Sequence, residues 1–347
     1  MLLDDRKLRI LQAIIDDYIN TAEPVGSRTI AKKHELGLSS ATIRNEMADL
    51  EDMGFLEQPH TSAGRVPSDK GYRLYVDQLM QINELSESDI EKIRNAMDIK
   101  INELSQIIRN ASVVMSQFTK YTSLAVTPQI KRSVLKAVQV VPIEPGKALV
   151  IVVTDSNIVR NNLIRIPEKI TPDYLIQVSN MLNDKLKGYT LEMLKSNLLN
   201  GDAEQLTSLP YDLMRPILDG IEDLIKLIDQ PEIYLEGTTN ILNFPEFKEV
   251  QKAKEFLSLL DEKKLMSDIL NSNINKNEII IQIGNENVIQ GIKDCSLVTA
   301  SYSVDDHLIG TIGIIGPTRM EYSKVVSSLN YIRNKINQEI LKLLGDG

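Results

Sequence analysis

Ser39-Ser40-Ala41-Thr42-Ile43-Arg44-Asn45-Glu46-Met47-Ala48-Asp49-Leu50-Glu51-Asp52-Met53-Gly54 reads as one helix with both ends marked. Ser39 or Ser40 caps the orphan amides at its start, and Gly54 stands where a left-handed exit residue belongs. Ile43, Met47 and Leu50, with Met53 at the end, fall on one apolar stripe at helical spacing. The front of the opposite face is Ser40, Ala41, Thr42, Arg44 and Asn45, side chains that are short or planar and rich in donors. Such groups suit base edges: Arg forks onto guanine, Asn pairs with adenine, and the Thr methyl touches a thymine methyl. The stretch predicts a recognition helix for a DNA major groove.

Working outward, residues 4–20 predict a first helix with Leu8, Leu11, Ile14, Ile15, Tyr18 and Ile19 on its buried side, started by Asp4 or Asp5. Glu23-Pro24 stops regular structure. Ser27 then opens a short second helix to about His34, and Glu35-Leu36-Gly37-Leu38 is a tight turn into the recognition helix. Helix, short turn with glycine, second helix is the helix-turn-helix pattern. Downstream, Phe55-Leu56-Glu57-Gln58 and Arg65-Val66 predict two strands of a ribbon. The loop between them, Pro59-His60-Thr61-Ser62-Ala63-Gly64, is small and polar. The whole predicts a winged helix, with His60, Ser62 and Arg65 on the wing near a minor groove or phosphates. Ser68 caps a further helix carrying Lys70 and Arg73, both candidate phosphate partners. Arg6, Lys7, Arg28, Lys32 and Lys33 are candidates for the same face.

Charge alone does not support DNA binding. The 347-residue chain carries a net charge of −9, and Asp4, Asp5, Asp16, Asp17 and Asp52 offset the cations near its start. Any DNA contact must come from one local face. The 42% apolar and 25% charged content are ordinary for a globular protein of two or three domains. Cys295 is the single cysteine, so a disulfide framework and a thiolate metal cage are excluded and a reducing, cytoplasmic location is expected. No apolar run approaches the ~20 residues of a membrane span, and the charged N-terminus has no signal-peptide core.

The segment Leu38 to Glu51 resembles the recognition segment of the HrcA heat-inducible transcription repressors. So does Glu57-Gln58-Pro59-His60-Thr61-Ser62-Ala63-Gly64-Arg65-Val66-Pro67, with Asp69-Lys70-Gly71-Tyr72-Arg73 after it. Gly316-Pro317-Thr318-Arg319-Met320-Glu321-Tyr322 extends the resemblance towards the C-terminus. The resemblance implies a winged-helix domain, a GAF-like domain and a dimerising domain inserted into it. It also implies a homodimer that represses chaperone operons through an inverted-repeat operator on double-stranded DNA, modulated by the GroEL chaperonin and lost on heat stress.

The remaining chain is expected to follow that plan as an α+β multidomain protein. A long helix over 86–120 carries Ile90, Ile93, Met97, Ile101, Leu104, Ile108, Ala111, Met115 and Phe118 as a seam, for a partner helix or for its own domain. Strands are predicted near 124–127, 134–141, 148–153 and 158–166, then helices near 173–187, 191–200 and 213–229. This three-stranded antiparallel sheet with helices is assigned as the inserted dimerisation domain, 131–230. Met181, Leu182 and Leu186 are its candidate dimer contacts, because with Leu194, Leu198 and Leu199 they supply more apolar surface than a small layer hides. The winged helix is placed at 1–80 and the GAF-like domain at 81–130 and 231–347. Arg319 either braces the final helix or serves domain docking or a subunit contact, the role the resemblance favours.

The other chemistry-bearing residues are sparse. His34, His60 and His307 have no ligand-like spacing, and nothing resembles a nucleophile elbow or a phosphate loop. No catalytic residue, metal or cofactor is expected. Arg44 has a competing role as a surface residue paired with Glu51 or Asp49, and Asn45 as a brace of the turn. Two rival functions remain open: a regulator sensing a metabolite in its GAF-like domain, and a scaffold whose winged helix binds protein.

Overall fold

A computed structural model describes residues 3–34, 36–61, 63–97, 104–126, 134–155, 158–199, 210–229, 232–272, 278–304 and 307–345. Asp4 accepts the Lys7 amide at 2.8 Å and starts helix α1 (Asp5–Thr21). Helix α2 (Ser27–Lys33) follows, then α3 (Ser40–Asp52), the helix expected to read DNA. Strands β1 (Leu56–Glu57) and β2 (Val66–Pro67) pair antiparallel. Helix α4 (Asp69–Leu74) runs into one π-helical turn, Tyr75–Leu79. The helix expected over 86–120 is described as two, α5 (Glu87–Met97) and α6 (Leu104–Thr119); Ile101 lies outside the described residues. Of the seam residues, Ile93, Met97, Leu104, Ile108, Ala111 and Met115 are buried within this chain, so most of the seam serves its own core.

Strand β3 (Thr122–Val126) precedes a separate layer of β4 (Leu135–Glu144), β5 (Lys147–Thr154) and β6 (Val159–Arg165). Helices α7 (Pro172–Leu186), α8 (Leu191–Leu199) and α9 (Tyr211–Asp229) complete that layer. The chain then returns through β7 (Ile233–Glu236), two 3-10 turns, α10 (Val250–Asp261), α11 (Lys263–Ser272), β8 (Ile279–Ile283), β9 (Cys295–Val304), β10 (His307–Pro317) and α12 (Tyr322–Gly345). The order β7-β3-β10-β9-β8 makes one antiparallel sheet from strands on both sides of the 134–229 segment, while β4-β5-β6 forms a sheet of its own. That segment is therefore an insertion in topology as well as in sequence.

Alternation along the strands divides the larger sheet. Ala125, Val298, Ala300, Ile312 and Ile314 face α6 and α12, whereas Leu124, Val126, Leu297 and Ile315 face α10 and α11. The first of these layers is continuous with the winged helix: Ile10, Leu11, Ile43, Leu50, Leu56 and Tyr72 belong to the same apolar cluster as Val325, Leu329 and Ile336 of α12.

The inserted layer has its own core. Leu182 and Leu186, expected as contact residues, are each only 2% exposed and pack with Leu175 and Val178 against β4. This corrects the expectation. Positions 175, 178, 182 and 186 share one face of α7, and that face is turned inward; Met181 beside them is half-buried. The free edge of β4 is sealed by the same helix. Asn183 accepts the Val138 amide at 2.8 Å and donates to the Val138 carbonyl at 2.7 Å, while Ser179 accepts the Val140 amide at 2.9 Å. The uncovered apolar surface lies on the opposite side of the sheet. There the rows Ala137–Val153–Val159 and Val141–Leu149–Leu163 face out, and Val159 and Leu163 are more than half exposed.

Candidate nucleic-acid interface

The geometry of α3 is set at both ends. Ser39 accepts the Thr42 amide at 3.1 Å and exchanges a hydroxyl hydrogen bond with Thr42 at 2.9 Å. Ser40 sits 3.2 Å from the Ser27 hydroxyl, which ties α3 to α2 across the turn. At the exit the Gly54 amide reaches the Glu51 carbonyl at 2.8 Å and the Phe55 amide the Leu50 carbonyl at 2.9 Å. With Gly54 at φ +78° this is a Schellman exit, which needs a left-handed residue. Helix α4 reinforces it: Ser68 donates to the Gly54 carbonyl at 2.7 Å and Lys70 to the Met53 carbonyl at 2.8 Å.

Ile43, Glu46, Met47 and Leu50 face inward. Ala41, Arg44, Asn45 and Ala48, spaced i, i+3, i+4 and i+7, form the exposed stripe. Arg44 and Asn45 make no side-chain hydrogen bond or ion pair among the described residues. The two carboxylates that competed for Arg44 are taken elsewhere. Asp49 holds Lys7 at 3.0 Å and Glu51 holds Arg65 at 2.7 Å. Ala48 was missing from the sequence reading, although the same spacing arithmetic that groups Ala41, Arg44 and Asn45 reaches it.

The remaining candidates divide by what they touch. Lys7 is bound by Glu46 at 2.6 Å and by Asp49, and these hydrogen bonds push its pKa up despite some desolvation. Arg6 pairs with Glu46 and Lys33 with Asp17. Arg28 and Lys32 on α2 are exposed and have no ion pair among the described residues. Lys70 is exposed but leans on Phe55, its ammonium 4.3 Å from the ring centre. On the wing, His60 is exposed and Gln58 braces the loop by donating to the Thr61 and Ala63 carbonyls. Ser62 lies outside the described residues.

Arg65 is not the free wing cation that was expected. Its guanidinium turns back to Glu51, its side chain is only 18% exposed, and its backbone pairs with Val25 in both directions at 2.9 Å. Arg73 is also placed away from a phosphate role. It forks onto Glu286 at 2.8 and 2.5 Å, reaches the Ile281 carbonyl at 2.5 Å and touches Asp77 at 3.1 Å. Arg319 joins the sheet domain to the winged helix. It pairs with Glu246, donates to the Ile19 carbonyl of α1 at 3.0 Å and lies over the Phe244 ring. Of the two roles weighed for Arg319, this geometry is domain docking.

A cleft of about 430 Å³ separates α1 from the start of α12. Asp16, Glu84, Asp89 and Glu321 line it with Lys324. Burial raises the Asp16 pKa, while the Tyr75 hydroxyl donates to its carboxylate at 2.9 Å and works in the opposite sense. Four carboxylates around one ammonium favour a cation or water over an anionic metabolite.

Comparison with known proteins bears on the whole chain. The family model described as HrcA protein C terminal domain matches residues 105–326. A heat-inducible transcription repressor HrcA of Ruminiclostridium cellulolyticum is 77% identical, with all of both chains covered. Its counterpart in Acetivibrio thermocellus is 57% identical over 99% of this chain and 98% of its own. A crystal structure described as a hypothetical protein matches with a TM-score of 0.72 at 24% identity, covering 99% of this chain and 100% of that one, and so shares the fold. Among the described residues no helix is long and apolar enough to cross a membrane.

Proposed function

The chain belongs to the HrcA family of heat-inducible transcription repressors, and from that premise we propose that it represses by seating α3 in the major groove of an operator. Arg44 and Asn45 read base edges there. Ala41 and Ala48 allow the helix backbone to come close, and Thr42 offers its methyl. Ser39 and Ser40 hold the helix start rather than read bases. Arg28, Lys32 and Lys70 contact phosphates, and the tip of the wing around His60 lies against the backbone or minor groove.

One observation carries the reading. In a protein of net charge −9, where Lys7, Lys33, Arg65 and Arg73 are all held by carboxylates, Arg44 is exposed at the front of a capped helix with no ion pair among the described residues. A structural arginine would be expected to find one of the nearby acids.

One such helix reads a half-site, so a homodimer on an inverted repeat doubles the contacts. The outward face of β4-β5-β6 supplies an apolar surface for that association, in place of Leu182 and Leu186. Domains at 1–80, 81–130 with 231–347, and 131–230 fit this division of labour, as does a cytoplasmic site of action. Modulation by a GroEL-type chaperonin is carried over from the family resemblance alone. The test is an anisotropy titration of the protein's own chaperone promoters against random duplex, with footprinting in the presence and absence of chaperonin. Equal affinity for both duplexes would remove the operator reading.

A further inference from the structure

The winged helix and the sheet domain share an apolar core, and apolar burial is non-directional. It holds two bodies together without fixing the tilt of one on the other. Directional contacts must do that: Arg319 supplies one to the Ile19 carbonyl of α1, and a further set lies along α4. The Asp69 carboxylate accepts both the backbone amide and the side-chain amide of Asn285 at 2.9 Å. One turn later the Arg73 guanidinium forks onto Glu286 and reaches the Ile281 carbonyl. Two parallel hydrogen bonds between a planar guanidinium and a carboxylate fix angle as well as distance.

Gly284 shows how closely the two sides are fitted. It has φ +53°, and a Cβ there would lie 2.1 Å from the Asp69 Oδ1. Only glycine leaves room for that carboxylate. On the other side α4 is welded to the recognition helix. Ser68 and Lys70 hold the carbonyls at its exit, and Gly71 lies so close that a Cβ would meet the Phe55 carbonyl at 2.3 Å. Orientation is thus passed from the 284–286 turn through α4 to α3 without a flexible joint.

We propose that Asp69, Arg73, Gly284, Asn285 and Glu286 form an interdomain latch that fixes the tilt of the recognition helix and thereby sets the half-site spacing the repressor accepts. The inference rests on the reading of a dimer on an inverted repeat. Each added base pair shifts a half-site by about 3.4 Å along the duplex and turns it around the axis. A reader fixed in tilt is intolerant of that change, and a reader on a loose hinge follows it. These are positioning residues, since they are spent between domains and not on the exposed stripe.

The experiment uses the full chain and inverted repeats whose spacer is shortened or lengthened by one and two base pairs. The unsubstituted protein should prefer one spacing at least about tenfold over its neighbours. Arg73→Glu should bind the best spacing more weakly and flatten the profile to within about threefold. Arg73→Glu with Glu286→Arg should restore the preference. Independently, Gly284→Ala should flatten it, because its Cβ would press on the Asp69 carboxylate and φ +53° strains any residue but glycine. Thermal melts of every variant separate hinge loosening from unfolding. An unchanged profile in Arg73→Glu, or failure of the Arg73→Glu, Glu286→Arg double variant to recover, would overturn the latch. A flat profile in the unsubstituted protein would also overturn it while leaving the repressor reading intact, whereas no preference for any repeat over random duplex would overturn that reading itself.

Discussion

The Arg65 guanidinium of the wing forms an ion pair with the Glu51 carboxylate of α3 at 2.7 Å, so the ribbon's one arginine braces that helix from behind. Arg65 is largely withdrawn from water and Glu51 half-buried, and the Arg65 Nε is buried with no hydrogen-bond partner among the described residues. Arg65→Ala should therefore lower the melting temperature, by an amount equivalent to about 1–3 kcal/mol, because it leaves Glu51 uncompensated. The salt dependence of DNA binding should keep its slope. A slope flattened by about one unit in an otherwise stable protein would return Arg65 to the phosphate set.

Arg44→Ala should leave the melting temperature within a degree or two, since the side chain makes no hydrogen bond or ion pair among the described residues. Its cost should appear on the operator, about 1–3 kcal/mol with relaxed preference at one base pair. Competition titrations with single-base operator variants would read both numbers. Operator affinity equal to that of the unsubstituted protein rules out a base contact.

Arg28→Ala and Lys70→Ala should each flatten the slope of log K against log salt by about one unit and weaken operator and random duplex alike. Lys70→Ala should also cost some stability, because its ammonium satisfies the Met53 carbonyl and covers Phe55. Titration at four or five salt concentrations separates the two effects.

The Glu286 carboxylate gives the domain junction a pH dependence. Burial opposes its ionisation, but hydrogen bonds from Arg73 and the Ile283 amide outweigh it and hold the pKa below the ordinary 4.5. A carboxyl depressed on folding adds stability above its unfolded value and loses it as the pH falls through the folded one. Stability should thus be indifferent to this group above about pH 5.5 and fall with acid below 4.5. Urea midpoints across that range should fall less steeply in Glu286→Gln. Parallel curves for the two proteins would show that the pair does not contribute.

In the inserted layer, Leu182→Ala should cost about 2–5 kcal/mol of stability, as a core truncation does. Leu163→Glu, on the outward face, should leave the melt of the layer nearly unchanged and shift sedimentation from dimer to monomer. A dimer that survives Leu163→Glu would move the association surface elsewhere.

What was legible in the sequence was local. The caps at Asp4, Ser39 and Ser68, the exit at Gly54 and the strand runs of the meander are each written within a few neighbouring residues. What was illegible was the choice of partner. Nothing near Arg73 or Arg319 in the chain names Glu286 or the Ile19 carbonyl, which lie 213 and 300 positions away. A cation beside a DNA-reading element looks like a phosphate contact until the fold supplies a carboxylate. The same limit applies to α7, where the spacing of Leu182 and Leu186 identifies a shared face without saying whether that face turns inward.

The unbroken apolar cluster running from Ile10 of α1 to Ile340 of α12 also governs how this molecule can be cut and recombined. A fragment ending near residue 80 would bare Tyr72 and its neighbours, so the reader is a poor candidate for transplanting alone onto another effector. Chimaeras that exchange the 134–229 layer, whose core is separate, sever its two connections and the Arg160–Glu232 ion pair but leave the rest of the protein's apolar interior intact.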